Sequence, residues 1–197
     1  MTRPAVALEP DPGRLDWLII GGGIHGVHLA ARLIGEAGVS PARLRIVDPG
    51  DELLARWRRC TATVGMTHLR SPSVHHLDLK PWSLHESAGK RKSRQRGLFA
   101  PPYDRPALEF FNAHCDGVIE RFGLDALHIK ARVTACKVDC DSVRVECFDG
   151  AELSAEKVVL ALGASEQPSW PDWAPQGTPR VYHVFDPAFD AWPYFCL

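Results

Sequence analysis

Residues 15–48 constrain this chain more than any other segment. Leu15-Asp16-Trp17-Leu18-Ile19-Ile20 is a short apolar run that stops at three glycines, the pattern of a buried parallel strand. Residues 24–33 then place Ile24, Val27, Ala31 and, just beyond, Ile34 on one helical face, and Gly35 and Gly38 are stop signals. Leu44-Arg45-Ile46-Val47-Asp48 is a second strand, ended by Pro49-Gly50. Strand, helix and strand in this space form a βαβ unit, with parallel strands and a right-handed crossover.

The turn between the first strand and the helix, Gly21-Gly22-Gly23-Ile24-His25-Gly26, fits G-x-G-x-x-G. The pattern is weak alone, but here it follows a strand, opens a helix, and has an acid, Asp48, 22 residues after Gly26. Those are the conditions for a dinucleotide fingerprint. Gly21 permits the tight turn, Gly23 lets a pyrophosphate approach the backbone, and Gly26 lets helix and sheet pack closely. The unpaired N–H groups and the positive helix end hold a diphosphate. Asp48 suits an unphosphorylated ribose, either NAD or the adenosine half of FAD, and disfavours NADP at this site.

Downstream order separates the dinucleotides. Residues 51–59 read as a short helix. Five of the seven residues in 90–96 are basic, read as a solvated loop with a phosphate contact as the alternative. Asp104 reads as an N-cap with Pro106 in the first turn. Leu108, Phe111, Cys115, Val118, Ile119 and Phe122 then recur at helical spacing before Gly123. From Arg132 the period becomes two: strands around Val133 and Val145, turned at 139–142 and again at Asp149-Gly150, make a three-stranded antiparallel meander ending near Leu153. A separate apolar strand, 157–162, runs into Gly163. A dehydrogenase domain would continue with alternating strands and helices instead. The tail is rich in proline and carries Trp170, Trp173, Tyr182, Phe185, Trp192 and Phe195, either an interface or side chains folded back on the core.

Composition excludes other classes. Twenty-three Lys and Arg against 24 Asp and Glu argue against a general nucleic-acid binder. No apolar run nears the roughly 20 residues of a membrane span, and no secretory signal precedes the first strand. The six cysteines include no C-x-x-C, and Cys136 and Cys140 sit too far apart along a strand for a disulfide, so core thiols in a reducing cytoplasm are expected. His68, His75, His76 and His85 lack zinc spacing, so no metal is expected. There is no G-x-S-x-G for a hydrolase.

Several motifs together resemble the two-dinucleotide-binding flavoproteins. These are Gly21-x-Gly23-x-x-Gly26, Asp48, Arg132-Val133 at the start of the meander, and Val158-Val159-Leu160-Ala161-Leu162-Gly163, which is similar to the family's "ATG" strand with Leu162 where Thr is usual. Leu69-Arg70-Ser71-Pro72, Leu77-Asp78, Pro168-x-x-Pro171 and His183 before Phe185 resemble, within that class, the flavin-dependent monooxygenases of the N-hydroxylating (ornithine and lysine) and Baeyer–Villiger kinds.

The resemblance implies an α/β fold: an FAD/NAD(P)-binding, Rossmann-like parallel sheet with an antiparallel three-stranded meander on one face. It implies FAD in an extended pose, with the pyrophosphate on Gly21, Gly23, Ile24, His25 and Gly26 and the adenosine ribose on Asp48. Val133 would border the adenine and Gly163 would pass near the cofactor. Trp57, Met66, His68 and Leu69 would approach the flavin ring. NADPH is the family's co-substrate, but its second glycine fingerprint has no counterpart, since only Gly177 follows Gly163. The expected organisation is an extension (1–13), an FAD-binding domain (14–165) and a tail (166–197) leading to an absent NADPH domain. The expected function is the FAD-binding portion of an N-hydroxylating monooxygenase. A catalytically silent dinucleotide-binding module and an NAD-dependent dehydrogenase are the alternatives. No catalytic residue is assigned, the substrate is open, and a homo-oligomer or partner chain stays open.

Overall fold

The computed structural model describes residues 15–89, 97–163, 168–186 and 189. The basic run 90–96, Ser165 and Glu166, Trp192 and Phe195 lie outside them. In chain order the elements are β1 (Leu15–Ile20), α1 (Ile24–Gly35), β2 (Leu44–Asp48), α2 (Ala55–Thr63), α3 (Ser83–Ala88), β3 (Phe99–Ala100), β4 (Arg105–Pro106), α4 (Leu108–Phe122), β5 (His128–Lys130), β6 (Val133–Val138), β7 (Val143–Cys147) and β8 (Glu152–Leu160).

Six strands form one sheet in the order β5-β2-β1-β8-β7-β6, and β3 and β4 form a small separate pair. β1 is parallel to β2, with Ile20 opposite Val47, and parallel to β8, with Ile20 opposite Leu160. The βαβ unit is therefore as its sequence pattern required. Alternation along β1 divides two cores. Ile19 faces the layer of α1 and α4 with Val27, Ala31, Ile46, Phe111 and Val118, while Leu18 and Ile20 face Val47, Val145 and Ala155 on the other side.

The meander is not laid on one face of the parallel sheet; it continues the same sheet. β8 is one nine-residue strand, where two were expected. Its first half pairs antiparallel with β7 (Val145 with Leu153) and its second half parallel with β1 (Leu18 with Val158). The polar step Ser154-Ala155-Glu156 looks like a break, but it keeps the period of two. Ala155 points inward and is fully buried, while Ser154 and Glu156 are exposed.

Other boundaries moved for tertiary reasons. α2 begins at Ala55, four residues later than expected. α4 begins at Leu108, with Asp104 outside it in left-handed backbone (φ 48°). Arg105 and Pro106 pair instead with Ala100 and Phe99, and the Leu108 N–H donates to Thr67 O at 2.9 Å. β5 is three residues long and parallel to β2, too short to show a period in the sequence. No described helix is long and apolar enough to cross a membrane.

Candidate functional site

The carboxyl ends of β2, β1 and β8 lie side by side, and β1 is where the sheet order reverses, since β2 lies on one side and β8 on the other. Crevices at such switch points are where open α/β sheets take ligands. A cavity of about 250 Å³ opens there. Ile20 and Gly21, Val47 and Asp48, and Ala161 to Gly163 form its floor. The link from β5 to β6, with Ala131, Arg132 and Val133, forms one wall. The first residues of α1 and α2 form the others.

The three glycines do different work. Gly21 (φ +114°) turns the chain sharply off β1, where its N–H donates to Val47 O at 2.8 Å, and any Cβ on it would run into Ala161 O. A Cβ on Gly26 would collide with the Gly21 carbonyl, so only glycine lets α1 sit this close to the turn. Around Gly23, by contrast, a Cβ would meet no atom within 4 Å. Gly23 caps α1 without a side chain, and the first intrahelical bond runs from the Val27 N–H to Gly23 O at 3.0 Å. The amides of Ile24, His25 and Gly26 therefore have no intrahelical acceptor. They give the cavity a positive rim fit for an anion.

Asp48 is half-buried at the end of β2, and both its oxygens are engaged. Oδ2 accepts from the Gly22 N–H at 2.7 Å and Oδ1 from the Gly50 N–H at 2.8 Å. The carboxylate thus fixes the glycine turn to the second strand. Each oxygen keeps a further lone pair with which a ribose hydroxyl can bond.

The start of α2 is held to the same turn. Leu54 N–H donates to Gly22 O at 2.8 Å, and Leu54 sits in left-handed backbone (φ 64°), unusual for a branched residue. Trp57 faces the cavity, anchored by Nε1 donating to Asn112 Oδ1 at 3.0 Å and by ring contact with Phe111. Arg56 and Cys60 join it on the lining.

The structure thus brings Gly21, Gly23, Ile24, His25, Asp48, Trp57, Val133 and Gly163 to one cavity, with Gly26 packed directly beneath. Three residues expected near a flavin ring do not line it. Leu69 is buried in the main core and its N–H donates to Pro106 O at 2.9 Å. His68 is bridged to Ala107. Met66 lines a separate hollow with Arg59 and Thr61. Loop order placed them, but the short β-bridge at His68 turns this stretch toward α4. Arg56, Cys60, Ala161 and Leu162 were not foreseen as lining. Only the last two carried a signal, as the tail of the Val158–Gly163 motif.

Asp78 belongs to a different polar cluster, between α3 and α4. It accepts from Ser83 Oγ, from Arg121 Nη2 and, at 2.6 Å, from the Leu79 N–H. Burial alone would raise its carboxyl, but these donors outweigh it and hold the group well below the usual carboxylate range. His114 lies alongside, 3.4 Å from Ser83 Oγ and 3.2 Å from Ser87 Oγ, and is pushed down to about 4 by burial and then by His76. Cys115, buried on α4, is pushed up to about 12 by desolvation, which makes it an inert core thiol. Among the described residues no group of three His, Cys, Asp or Glu could hold a metal ion.

No curated protein sequence matches the chain. Among solved structures it is similar to a flavin-containing monooxygenase from Stenotrophomonas maltophilia, at 22% identity and TM-score 0.54, covering 81% of this chain and 41% of that one. It is similar to cyclohexanone monooxygenase from Rhodococcus sp. Phi1 bound to NADP+, at 19% identity and TM-score 0.54, covering 82% of this chain and 28% of that one. It also resembles OTEMO in complex with FAD and NADP, at 15% identity and TM-score 0.56, with 80% and 27% covered. The chain therefore spans well under half the length of these proteins, and at such identities the likeness is one of fold. A family described as FAD-NAD(P)-binding matches residues 18–165, three quarters of the sequence, and the chain belongs to that family.

Proposed function

We propose that this chain binds FAD at the β1–α1 cradle and serves as the FAD-binding portion of an NAD(P)H-dependent monooxygenase. One observation supports this above the rest: Gly23 leaves open space beside unengaged helix amides, while Gly21 and Gly26 on either side are closed against their neighbours. That is a cradle shaped for a diphosphate. Gly21, Gly23, Ile24 and His25 would hold the pyrophosphate, Asp48 the adenosine ribose, and Val133 the edge of the adenine. Trp57 and Gly163 would flank the part of the cofactor leading toward its ring.

When bound, FAD supplies the hydride-accepting and oxygen-activating chemistry. The chain's own residues bind and orient it. Asp48 keeps the turn in shape through the Gly22 N–H, and Asn112 fixes the Trp57 ring that would lie beside it. No proton-transferring residue is assigned. Between N-hydroxylation and Baeyer–Villiger oxidation, the fold likeness to cyclohexanone monooxygenases supports the second. A cytoplasmic setting is part of the proposal, in keeping with the free thiols at Cys60, Cys115, Cys136, Cys140 and Cys147.

The test is cofactor identity. Protein purified and reconstituted with FAD should be yellow, and its extract should give FAD by mass spectrometry. Asp48→Ala should weaken FAD by about 1–3 kcal/mol. A colourless protein that takes up NAD instead overturns the proposal in favour of a dehydrogenase. FAD uptake with no NADPH oxidation by the chain alone leaves it a cofactor-binding module that needs a partner.

A further inference from the structure

Arg56 stands where the glycine fingerprint says nothing. It is half-buried, on the first turn of α2, and lines the same cavity as Gly23 and His25. The backbone just before it is held by a contact of its own. Two residues earlier, Leu54 holds left-handed backbone while its N–H bonds to Gly22 O at 2.8 Å. A buried leucine in that conformation is an uncommon and costly choice, tolerated where the surroundings over-determine it. Its effect is to aim the α2 N-terminus, and Arg56 with it, at the glycine turn.

The lining of the cavity suits an anionic ligand. Its lining has two guanidinium groups, Arg56 and Arg132, and one carboxylate, Asp48. Arg132 is exposed at the rim, whereas Arg56 lies deeper. The N-termini of α1 and α2 each add about half a positive charge. Guanidinium groups and helix N-termini are donors of the kind that phosphate oxygens accept from.

We infer that Arg56 is a second anchor for the diphosphate, gripping it from the α2 side while the α1 amides grip it from the other. This rests on the reading of the cavity as a dinucleotide cradle. A guanidinium fork suits the task because it donates two parallel hydrogen bonds to phosphate oxygens. It also separates the cavity's two ends: Arg56 serves the phosphates, and Asp48 and Val133 serve the nucleoside.

The test compares ADP, adenosine and FAD binding by calorimetry in the wild-type chain, Arg56→Met and Arg56→Lys. Arg56→Met should weaken ADP and FAD at least about tenfold, the scale of a lost charge-assisted hydrogen bond. Adenosine should change less than about twofold, and the salt dependence of ADP binding should flatten. Arg56→Lys, which keeps the charge without the fork, should fall between. If Arg56→Met does not fold, Arg56→Lys decides: ADP bound as tightly as by wild type, salt dependence included, overturns the inference. So does an unchanged ADP affinity in folded Arg56→Met, or an equal loss for ADP and adenosine. Failure of the wild-type chain to bind either FAD or ADP overturns the cradle reading itself, and the inference with it.

Discussion

The cradle and the polar cluster between α3 and α4 are built on opposite plans. At the cradle, polar groups are left facing open space: the amides of Ile24 and His25, beside a glycine whose Cβ would meet nothing within 4 Å. Between α3 and α4 the polar groups are turned on one another. Asp78 takes hydrogen bonds from Ser83, Arg121 and Leu79, and His114 sits against Ser83 and Ser87. The second cluster has a serine, a histidine and an aspartate in reach, yet Ser83 lies between the other two and donates to the carboxylate, so nothing activates it as a nucleophile. Chemistry-bearing residue types are thus a poor guide to where a ligand goes. Backbone donors with nothing assigned to them are a better one.

Substitutions can break that contrast. The largest effect is expected within the cradle itself, at Gly26→Ala, whose Cβ would strike the Gly21 carbonyl; a loss of about 3 kcal/mol or more in stability should appear in urea titrations. Gly23→Val should do the reverse, leaving the melting temperature nearly unchanged while lowering FAD uptake at least about hundredfold, roughly 2.7 kcal/mol. If both variants lose stability alike, the open space at Gly23 is not a binding feature. Asp78→Ala should cost about 2 kcal/mol, because it strands Arg121 and Ser83, and should leave FAD affinity unaltered. A loss of uptake there would mean the two clusters are coupled.

The smallest effect is the pH dependence. His114 is held near 4 in the fold against 6.5 ordinarily, so between these values the unfolded chain binds a proton that the native chain refuses. Stability therefore rises with pH across that window, and acidifying from 7 to 5 should cost about 1 kcal/mol after allowance for solvent screening. Asp78 acts in the same direction but only below its ordinary value of 3.8. Melting curves at pH 7 and 5 should separate for the wild type and converge for His114→Gln. Equal melting temperatures in the wild type would show that burial does not hold His114 neutral.

What could be read in advance follows from distance along the chain. The βαβ unit and its glycines were legible because every signal lies within residues 15–48 and each glycine answers a local need. β8 was misread as two strands because Ser154 and Glu156 look like a break, although the inward Ala155 preserves the alternation. β5 and the true start of α4 were hidden because partners elsewhere decide them: β2 for the one, Thr67 and the β3 pair for the other. Arg121 meets Asp78 across 43 residues, and no spacing rule reaches that far. Leu69 is buried in the core and does not line the cavity, because order along a loop does not say which way a side chain faces.

One bond in the cradle reaches beyond its length. Because Asp48 already holds the Gly22 amide, the turn acquires its shape when the sheet forms and not when a cofactor arrives. The ordering entropy that a flexible glycine-rich loop would lose on capture is settled at the folding step. An incoming dinucleotide then meets a rigid host, so its association should be governed by encounter and orientation, with no slow rearrangement phase after contact.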